Sequence, residues 1–321
     1  MAVDQKIGIF TTRMRTEFQI AYAATAKPAK WERFTQIIPS DARIEHYTWM
    51  SPSPGLALYQ GYRRFAKLDV IKYSVENLEY DAGFEVMLRD IKDDMTGGYS
   101  IKPQELAARA KLFPGRLSLK ALALGTSKLC FDGTAFFANS HTIGTGDNLL
   151  TGTGTGNSDG LTYRMVLLHN GGTLKPLICQ TRMAPEFRTD AGTPQSDLAK
   201  VAKYWIDTEL AACYGYWWDA IHYTWTNRPS LTDMHTAYGD IVTAMRGFVL
   251  PKSLSSEDGE YMHEQTEFNS DAMTLVVTPA LERVAFQSIN AETVPAIVGA
   301  IGVANNNLWK GFADVVTTNF L

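Results

Sequence analysis

Histidine and cysteine side chains are among the groups of this chain that could act as general bases, nucleophiles or metal ligands. Among the six histidines, five are scattered along the later part of the sequence: His141, His169, His222, His235 and His263. Their spacing matches no metal-binding motif. His222 lies near Asp219, but inside a run of aromatic residues a structural histidine is the favoured interpretation. The histidines therefore predict neither a metal site nor a catalytic base.

The cysteines and the glycine-rich run likewise indicate no catalytic, metal-binding or phosphate-binding site. Cys130, Cys179 and Cys213 are an odd number without CxxC spacing, which favours small buried hydrophobic residues over a disulfide or a metal site. The GTGTG run at residues 152–156 lacks the lysine and the flanking strand and helix of a phosphate-binding loop. No GxSxG, Walker or strand-preceded GxGxxG motif occurs. We predict no enzyme activity, no catalytic residue, no cofactor and no metal site.

Composition places the chain among ordinary globular proteins. Its 321 residues are 45% hydrophobic and 20% charged, with a formal net charge of −4, and suffice for two subdomains or one large one. There is no apolar run of about 18 residues, and Asp4 and Lys6 precede any apolar segment, so neither a membrane span nor a signal peptide is expected. We expect a cytosol-like compartment.

Charge is distributed unevenly. Residues 1–40 hold six basic and three acidic side chains, whereas residues 252–271 hold one basic and six acidic side chains. Such asymmetry could pair one copy with the next, but two solvated faces are the favoured interpretation. Neither segment resembles a sequence-reading nucleic-acid module.

The stretch LCFDGTAFFANSHT, residues 129–142, predicts a buried turn and strand about which other elements are arranged. Asp132 and Gly133 form a tight-turn dipeptide, because glycine takes a positive φ and aspartate can bond its own backbone. Phe136 and Phe137 would then point one ring to each side of a strand, which requires apolar cover on both sides.

The N-terminal half predicts a helix, a hairpin and a second helix. Phe10, Met14 and Phe18 share one narrow face of a helix over 8–26, which needs a partner surface. Strands are predicted within 64–89 around a polar break at 77–83, as a hairpin that another chain covers. The helix over 101–126 should be interrupted or kinked at Pro114.

The second half predicts mixed structure. Residues 142–160 have too little apolar content to pack and predict a mobile surface loop, while 204–223 fits strands at least as well as a helix. Ser230 and Asp233 resemble a capping box for a helix over 231–247. A buried strand over 273–277, a helix opened by Pro279 and a short strand over 313–318 follow.

Five segments together carry a family resemblance. They are Trp31 with IIPS at 37–40; HYTWMSPSPGL at 46–56 with the Gly61, Tyr62, Arg63 turn; MLRDIKDDMTGGY at 87–99; CFDGTAFFANSHT at 130–142; and LVVTPALERVAFQSINAE at 275–292 with LWKGFADVVTTNFL at 308–321. In these segments the chain resembles the major head (capsid) proteins of Mu-like tailed phages and prophages.

The resemblance implies an α+β chain with the HK97-type major capsid fold. The implied division is an N-terminal arm at 1–44, an E-loop at 45–80, a P-domain with spine helix and sheet at 81–145 completed by 305–321, and an A-domain at 146–304. In such a shell the arm and the hairpin are inter-subunit elements, each covered by neighbouring chains.

The implied function is that of a major capsid protein of a tailed bacteriophage or prophage, which self-assembles as hexamers and pentamers into an icosahedral head enclosing double-stranded DNA. Implied partners are other copies of the chain, portal and scaffold proteins during assembly, a possible decoration protein, and genomic DNA bound non-specifically on the inner face, with no membrane. The implied location is the virion, assembled in the host bacterial cytoplasm.

Two expectations about processing of the subunit accompany this resemblance. The chain lacks a long charged helical N-terminal region, so we expect a separate scaffold protein and a subunit that is not shortened at its N-terminus. Lys67 and Lys72 are the only plausible lysines for the covalent cross-linking known in some relatives of the fold, although a solvated strand face is the favoured explanation of both. A single monomer band from boiled shells on a denaturing gel would rule cross-linking out.

Two alternative functions remain. One is an encapsulin-like compartment or gene-transfer particle built from the same fold around other cargo. The other is an aromatic-rich hydrolase or sugar-binding module based on the aromatic cluster at 205–225. That second alternative requires an exposed aromatic platform with paired carboxylates nearby.

Overall fold

The computed structural model describes residues 2–25, 30–51, 71–93, 98–249, 261–298 and 301–321, together with Tyr59, Gly61, Arg63 and Phe65. Within these ranges, none of the helices combines the length and the apolar content needed to cross a bilayer. Lys67, one of the two lysines considered for cross-linking, lies outside the described residues, whereas Lys72 is exposed.

The described residues form seven α-helices and thirteen strands. The helices are α1 (Ala2–Ala24), α2 (Trp31–Phe34), α3 (Leu88–Asp93), α4 (Ile101–Ala123), α5 (Pro194–Ala199), α6 (Leu231–Arg246) and α7 (Pro279–Asn290), with single 3₁₀ turns at Gly98–Ser100 and Trp217–Asp219. The strands are β1 (Thr35–Pro39), β2 (Ile44–His46), β3 (Ser74–Glu76), β4 (Leu78–Met87), β5 (Leu149–Gly152), β6 (Tyr163–His169), β7 (Leu177–Thr189), β8 (Val201–Tyr214), β9 (Ala220–Trp225), β10 (Met273–Val277), β11 (Thr293–Val298), β12 (Ile301–Asn306) and β13 (Asp314–Thr317).

Two larger sheets organise the chain. A four-stranded sheet has the order β1-β7-β8-β4, with β1 parallel to β7 and the other pairs antiparallel. A five-stranded sheet has the order β13-β10-β6-β9-β5, with β13 parallel to β10 and β5 parallel to β9. The pairs β2–β3 and β11–β12 are separate two-stranded ribbons.

Helices α1 and α4 cover one face of the four-stranded sheet. Phe10, Met14 and Phe18 are buried there in one apolar cluster with side chains of α4, β7 and β8 such as Leu106 and Tyr204. The predicted helical face is confirmed. The expectation that another chain must cover that face is wrong, because the chain's own α4 and sheet already cover it.

The polar break predicted at 77–83 is also wrong. These residues lie within the ten-residue strand β4, which pairs with β8 along its whole length. The polar side chains alternate because one face of the strand meets solvent, and alternation of this kind is itself a strand signal. The pattern was therefore a half-exposed strand and not a turn.

Helix α4 is continuous through Pro114, so the predicted interruption is wrong, whereas the alternative of a kink stays a prediction. Gly115 instead makes room for a neighbouring ring, since a Cβ there would lie 2.7 Å from Cδ1 of Trp31. The proline and glycine pair thus allows α2 to pack closely against α4, and an alanine at position 115 would force the two helices apart.

The five-stranded sheet confirms several local predictions. Every side chain of β10 is buried, as its apolar run predicts, and Pro279 opens α7. At the start of α6 the Ser230 hydroxyl accepts from the Asp233 amide, and the Asp233 carboxylate accepts from the Ser230 amide, so the capping box is complete. The last strand, β13, pairs with β10 at the sheet edge.

Residues 142–160 pack more closely than their composition predicts. β5 lies within them and joins the five-stranded sheet through β9. Glycines let this segment approach large rings: a Cβ at Gly146, where φ is +152°, would lie 2.2 Å from Phe248. The prediction of a loop unable to pack is therefore wrong, because the absence of side chains is what permits the contact.

The division into arm, E-loop, P-domain and A-domain stays a prediction. The strand pairing crosses it, since β7 and β8 from the stretch 146–304 form one sheet with β4 from the stretch 81–145. The ribbon β2–β3 lies at the two ends of the stretch assigned to the E-loop.

Candidate functional site

One carboxylate closes the stretch 129–142 into a compact turn. The Asp132 carboxylate accepts hydrogen bonds from the amide and hydroxyl of Thr134, at 2.9 and 2.6 Å, and from the Thr142 amide at 3.2 Å. It also pairs with Nδ1 of His141 at 2.9 Å, and the Cys130 thiol donates to it at 3.0 Å. The side chains of Asp132 and His141 are fully buried.

The glycine of this turn has the predicted conformation, but the two phenylalanines do not. Gly133 has a φ of +81°, which confirms the tight-turn prediction. Phe136 and Phe137 are both buried, yet their ring centroids lie only 4.8 Å apart, so the rings do not point to opposite faces of a strand. The chain bends at this point, and Phe136 stacks on Tyr214 while Phe137 stacks on His222.

Asn148 and Trp217 attach this turn to the rest of the core. The His141 ring stacks on Trp217 with centroids 3.9 Å apart and planes 1° from parallel. The Asn148 amide donates to the carbonyls of Phe136 and Trp217, and its oxygen accepts from the Ala138 amide. Because Asn148 is fully buried, these bonds offset the cost of its desolvation.

Protonation states argue against a nucleophile at this turn. Burial, with the hydrogen bond to Asp132, raises the pKa of the Cys130 thiol well above its usual range, so the thiolate that would attack a substrate does not form. Burial alone would raise the pKa of Asp132, but hydrogen bonds from His141, Cys130 and Thr134 outweigh it and hold that pKa well below its usual range. The charged carboxylate is thus a structural acceptor.

A second buried cluster joins residues that the sequence separates widely. His169 ends β6, Asp219 lies in the 3₁₀ turn Trp217–Asp219, and His263 follows α6. Nδ1 of His169 pairs with the Asp219 carboxylate at 2.8 Å, and Nε2 of His263 lies 3.7 Å from the same carboxylate. All three are buried. No sequence pattern indicates this cluster, because no local spacing relates residues 50 positions apart.

Both clusters contain ligand types that could hold a metal ion. In each of the groups Cys130–Asp132–His141 and His169–Asp219–His263, one ligand atom per residue lies within 4.8 Å of the others. In the second group, however, both ring nitrogens of His263 already have partners, the Trp218 carbonyl at 2.9 Å and the Thr266 hydroxyl at 3.1 Å. Metal binding there would require breaking a hydrogen bond, so the internal network explains the cluster better.

His222, which the sequence placed near Asp219, belongs to neither cluster. It is 5% exposed, packs on Phe137, and its Nδ1 has no hydrogen-bond partner. Burial, with the nearby Arg164 cation, lowers its pKa to about 4. The ring is therefore neutral at physiological pH.

The low pKa of His222 makes folding sensitive to acid. Above pH 6.5 the ring is neutral in both the folded and the unfolded chain, whereas between pH 6.5 and about 4 only the unfolded chain takes up the proton. The free energy of unfolding should therefore fall by about 3 kcal/mol over that window. We expect His222→Phe to flatten this part of the profile in urea titrations at pH 7 and pH 4.5.

An unchanged slope in that variant would contradict the assignment to His222. Part of the acid sensitivity should remain in the variant, because burial also lowers the pKa of His263.

Most of the aromatic cluster at 205–225 lies inside the core, whereas Trp205 and Tyr216 are half-buried. Trp217, Trp218 and Trp225 are all buried, and Tyr214 and Tyr223 are buried beside them. These residues offer no exposed aromatic platform on which a sugar ring could stack. The hydrolase or sugar-binding alternative required such a platform, and this cluster does not provide it.

Exposed apolar side chains instead mark the surface near the β2–β3 ribbon. Ile44, Trp49, Tyr59 and Phe65 are 43, 53, 68 and 88% exposed. Single exposed apolar residues are common, but four large ones within one stretch of 22 residues are typical of a surface that another protein covers.

Comparison with known proteins gives one family and related capsids. The family described as Mu-like prophage major head subunit gpT matches residues 7–321. The chain is similar to the Mu-like prophage FluMu major head subunit of Haemophilus influenzae, with 30% identity over 198 residues, 59% of this chain and 64% of that one, which is less than two thirds of its length. It is also similar to the major capsid protein of Escherichia phage Mu, with 25% identity over 303 residues and 92% of each chain.

Solved structures with the same fold are capsids. The chain matches a subunit of the procapsid of bacteriophage JBD30 with a TM-score of 0.73 at 23% identity, over 98% of both chains. It matches a capsid of the same phage decorated with minor capsid protein trimers with a TM-score of 0.69 at 17% identity, over 94% of this chain and 93% of that one. At these identities the matches show that the fold is shared.

Proposed function

Because the chain belongs to the family of Mu-like prophage major head subunits, we propose that it assembles as hexamers and pentamers into an icosahedral head that encloses double-stranded DNA. The observation that carries this proposal is the family match, which extends from residue 7 to residue 321. The shared fold with JBD30 capsid subunits over nearly the whole chain supports it. The role is structural, and we propose no enzymatic activity.

The exposed apolar side chains near the β2–β3 ribbon support an assembly role for that stretch. A two-stranded ribbon is marginally stable alone, and its exposed strands and rings are stabilised when a neighbouring subunit covers them. We therefore assign the stretch 45–80, the proposed E-loop, to contacts between subunits. The arm differs, because the apolar face of α1 is already covered within the chain.

Partners other than the subunit itself are part of the proposal. We propose a portal and a separate scaffold protein during assembly in the host cytoplasm, and packaged DNA held by weak, salt-dependent contacts. Decoration by a minor capsid protein is proposed by analogy with the JBD30 capsid that is decorated with minor capsid protein trimers.

Electron microscopy with size-exclusion chromatography tests the proposed assembly. The purified chain is examined alone and with the proposed scaffold protein, and closed shells, or hexamers and pentamers that become shells, are expected. A chain that remains a soluble monomer under every condition would overturn the proposed function.

A substitution in the stretch 45–80 tests the proposed contact surface. We expect Phe65→Ser to abolish shells while leaving the unfolding midpoint of the free subunit unchanged, because the ring is 88% exposed in the single chain. Leu198→Ser is the matched control, since Leu198 is equally exposed but lies on α5, outside the proposed E-loop. Normal shells from Phe65→Ser would contradict the assignment of this stretch to subunit contacts.

A further inference from the structure

Helix α4 is the most cationic element among the described residues. It carries five basic side chains, Lys102, Arg109, Lys111, Arg116 and Lys120, against a single acid, Glu105. Its buried face, with Leu106, Ala110 and Leu122, packs toward the four-stranded sheet. Four of the five basic side chains, all except Lys111, are exposed away from this face, whereas Lys111 is half-buried over the Tyr22 ring.

Three of these cations form a continuous stripe. Arg109, Arg116 and Lys120 are exposed and follow one another at intervals of seven and four residues, which places them on one side of an α-helix. The stripe is about 16 Å long, at 1.5 Å of rise per residue. No carboxylate among the described residues pairs with any of the three, whereas Lys102 is paired with Glu105 at 3.5 Å.

The neighbouring helix extends the same charge. Arg13 and Arg15 are exposed on α1, which packs along α4. Contacts between the two helices include the Gln104 amide donating to Glu17 and Lys111 lying over the Tyr22 ring. The outer surface of the α1–α4 layer is therefore predominantly positive.

The far face of the four-stranded sheet has the opposite character. Glu79 stands directly across from Glu209, and Asp81 directly across from Asp207, on the paired strands β4 and β8. Arg182 pairs with Glu209, and Arg188 pairs with Asp207. Within the part of the chain that the structure describes, Glu79 and Asp81 form no ion pair, so one side of the layer is basic and the far face of the sheet is acidic.

We propose that the stripe Arg109, Arg116 and Lys120 on α4 faces the interior of the head and contacts the phosphate backbone of packaged double-stranded DNA. This inference rests on the proposed function and adds the face and the residues that meet the DNA. The acidic face of the sheet then points away from the nucleic acid, where its carboxylates are not repelled by phosphates.

The composition of the stripe favours DNA over another copy of the chain. Protein interfaces concentrate aromatic and apolar residues at their centre, whereas the only large apolar side chain exposed along this stripe is Leu112. Guanidinium and ammonium groups in a row without carboxylate partners suit a surface that presents one phosphate charge about every 1.7 Å along its axis, although Arg116 also lies over the Phe320 ring. No base-reading element is needed for such contacts.

Salt dependence of DNA binding by the unassembled full-length subunit tests the proposal. The probe is a fluorescein-labelled 20-base-pair duplex of arbitrary sequence, and anisotropy is measured between 20 and 200 mM salt. Because each phosphate neutralised contributes about −0.9 to the slope of log K against log salt, the triple variant R109Q/R116Q/K120Q should make that slope shallower by about 2 to 3. Affinity at low salt should fall accordingly.

The matched control removes the same charge from the far face of the sheet. The variant R182Q/R188Q/K203Q should keep the wild-type slope to within about one unit, because only net charge and not the contact surface has changed. Unfolding midpoints of both variants are recorded, so that a loss of binding is compared between folded subunits.

The outcomes separate this inference from the proposed function. Equal slopes for wild type and R109Q/R116Q/K120Q would overturn the inference, and so would a larger loss in the far-face control. If the α4 variant is folded but no longer forms shells with scaffold, the stripe is a protein interface and the inference is again wrong. Shell formation by the wild-type chain is scored separately, so its failure would count against the proposed function instead.

Discussion

Replacing Asp132 by alanine is expected to destabilise the folded subunit by about 3 to 5 kcal/mol, because it removes one member of a buried, fully bonded pair. The carboxylate accepts from Thr134, His141, Thr142 and Cys130. Its loss leaves the buried Thr134 amide and the His141 ring without their acceptor. Urea unfolding of the unassembled chain, followed by tryptophan fluorescence, measures the change.

Asp147→Ala is the matched control for this prediction. Asp147 belongs to the same part of the chain but is exposed, so its removal should change the unfolding free energy by no more than about 0.5 kcal/mol. Similar effects from the two substitutions would mean that the Asp132 network does not hold the turn. Asp132→Asn should lie between them, because an amide keeps the volume and one acceptor but loses the charge.

The pH profile gives the Asp132 prediction a second, independent signature. The pKa of Asp132 is lowered in the folded chain, so its contribution is fully present above the unfolded-state value of about 4 and is lost as the pH falls below it. This window lies below the one in which His222 acts. Wild type should therefore lose stability faster than Asp132→Ala below pH 4, while both share the loss between pH 6.5 and 4.

The sequence predicts local structure correctly where a few neighbouring residues determine that structure. The capping box of Ser230 and Asp233, the buried run of β10 and the proline that opens α7 all follow from interactions within four residues. The tight turn at Gly133 belongs to the same class, since its positive φ depends on one residue. These predictions are confirmed, because the tertiary contacts stabilise the same local conformations that the neighbouring residues favour.

Predictions that depended on distant partners were wrong. β5 is a strand because it pairs with β9. The glycines and threonines in this part of the chain do not by themselves predict a strand. Likewise the residues 77–83 are extended because β8 pairs with them throughout. The cluster of His169, Asp219 and His263 is assembled by the sheet and a later turn, so no spacing rule could have found it.

The cationic stripe of α4 is a different case, because its signal was present in the sequence. Arg109 and Arg116 are seven residues apart and Lys120 follows four later, which is the spacing of one helical face. The net charges of residues 1–40 and 252–271 did not indicate it, since the stripe lies between these two segments in the sequence. The overall charge of −4 did not indicate it either. Charge should thus be counted along predicted helical faces as well as along segments.

Gly215→Ala is expected to destabilise the subunit by more than about 3 kcal/mol, the upper range for overpacking a core. A Cβ at this position would lie 2.1 Å from the carbonyl oxygen of Lys175. The two segments are already held together there by the Gly215 amide, which donates to the Pro176 carbonyl at 2.8 Å. Since the obstructing atom belongs to the backbone, no side-chain rotation can relieve the overlap.

Gly239→Ala is the matched control, because it adds the same methyl group where space exists. The nearest atom to a Cβ at Gly239 is in the Trp309 ring at 3.9 Å, an ordinary contact, and the residue lies within α6. Alanine there should stabilise the subunit by about 0.5 to 1 kcal/mol through helix propensity. Urea midpoints of the two variants should therefore move in opposite directions from wild type.

The position of Gly215 connects its stability effect to assembly. It follows β8 of the four-stranded sheet and precedes the 3₁₀ turn that leads into β9 of the five-stranded sheet, so a shift there changes how the two sheets meet. Shells require many copies with one subunit shape, and we expect electron microscopy to find none from Gly215→Ala at temperatures where Gly239→Ala assembles normally. If Gly215→Ala has the wild-type urea midpoint and forms normal shells, the backbone at this junction shifts without loss of stability, and the prediction is wrong.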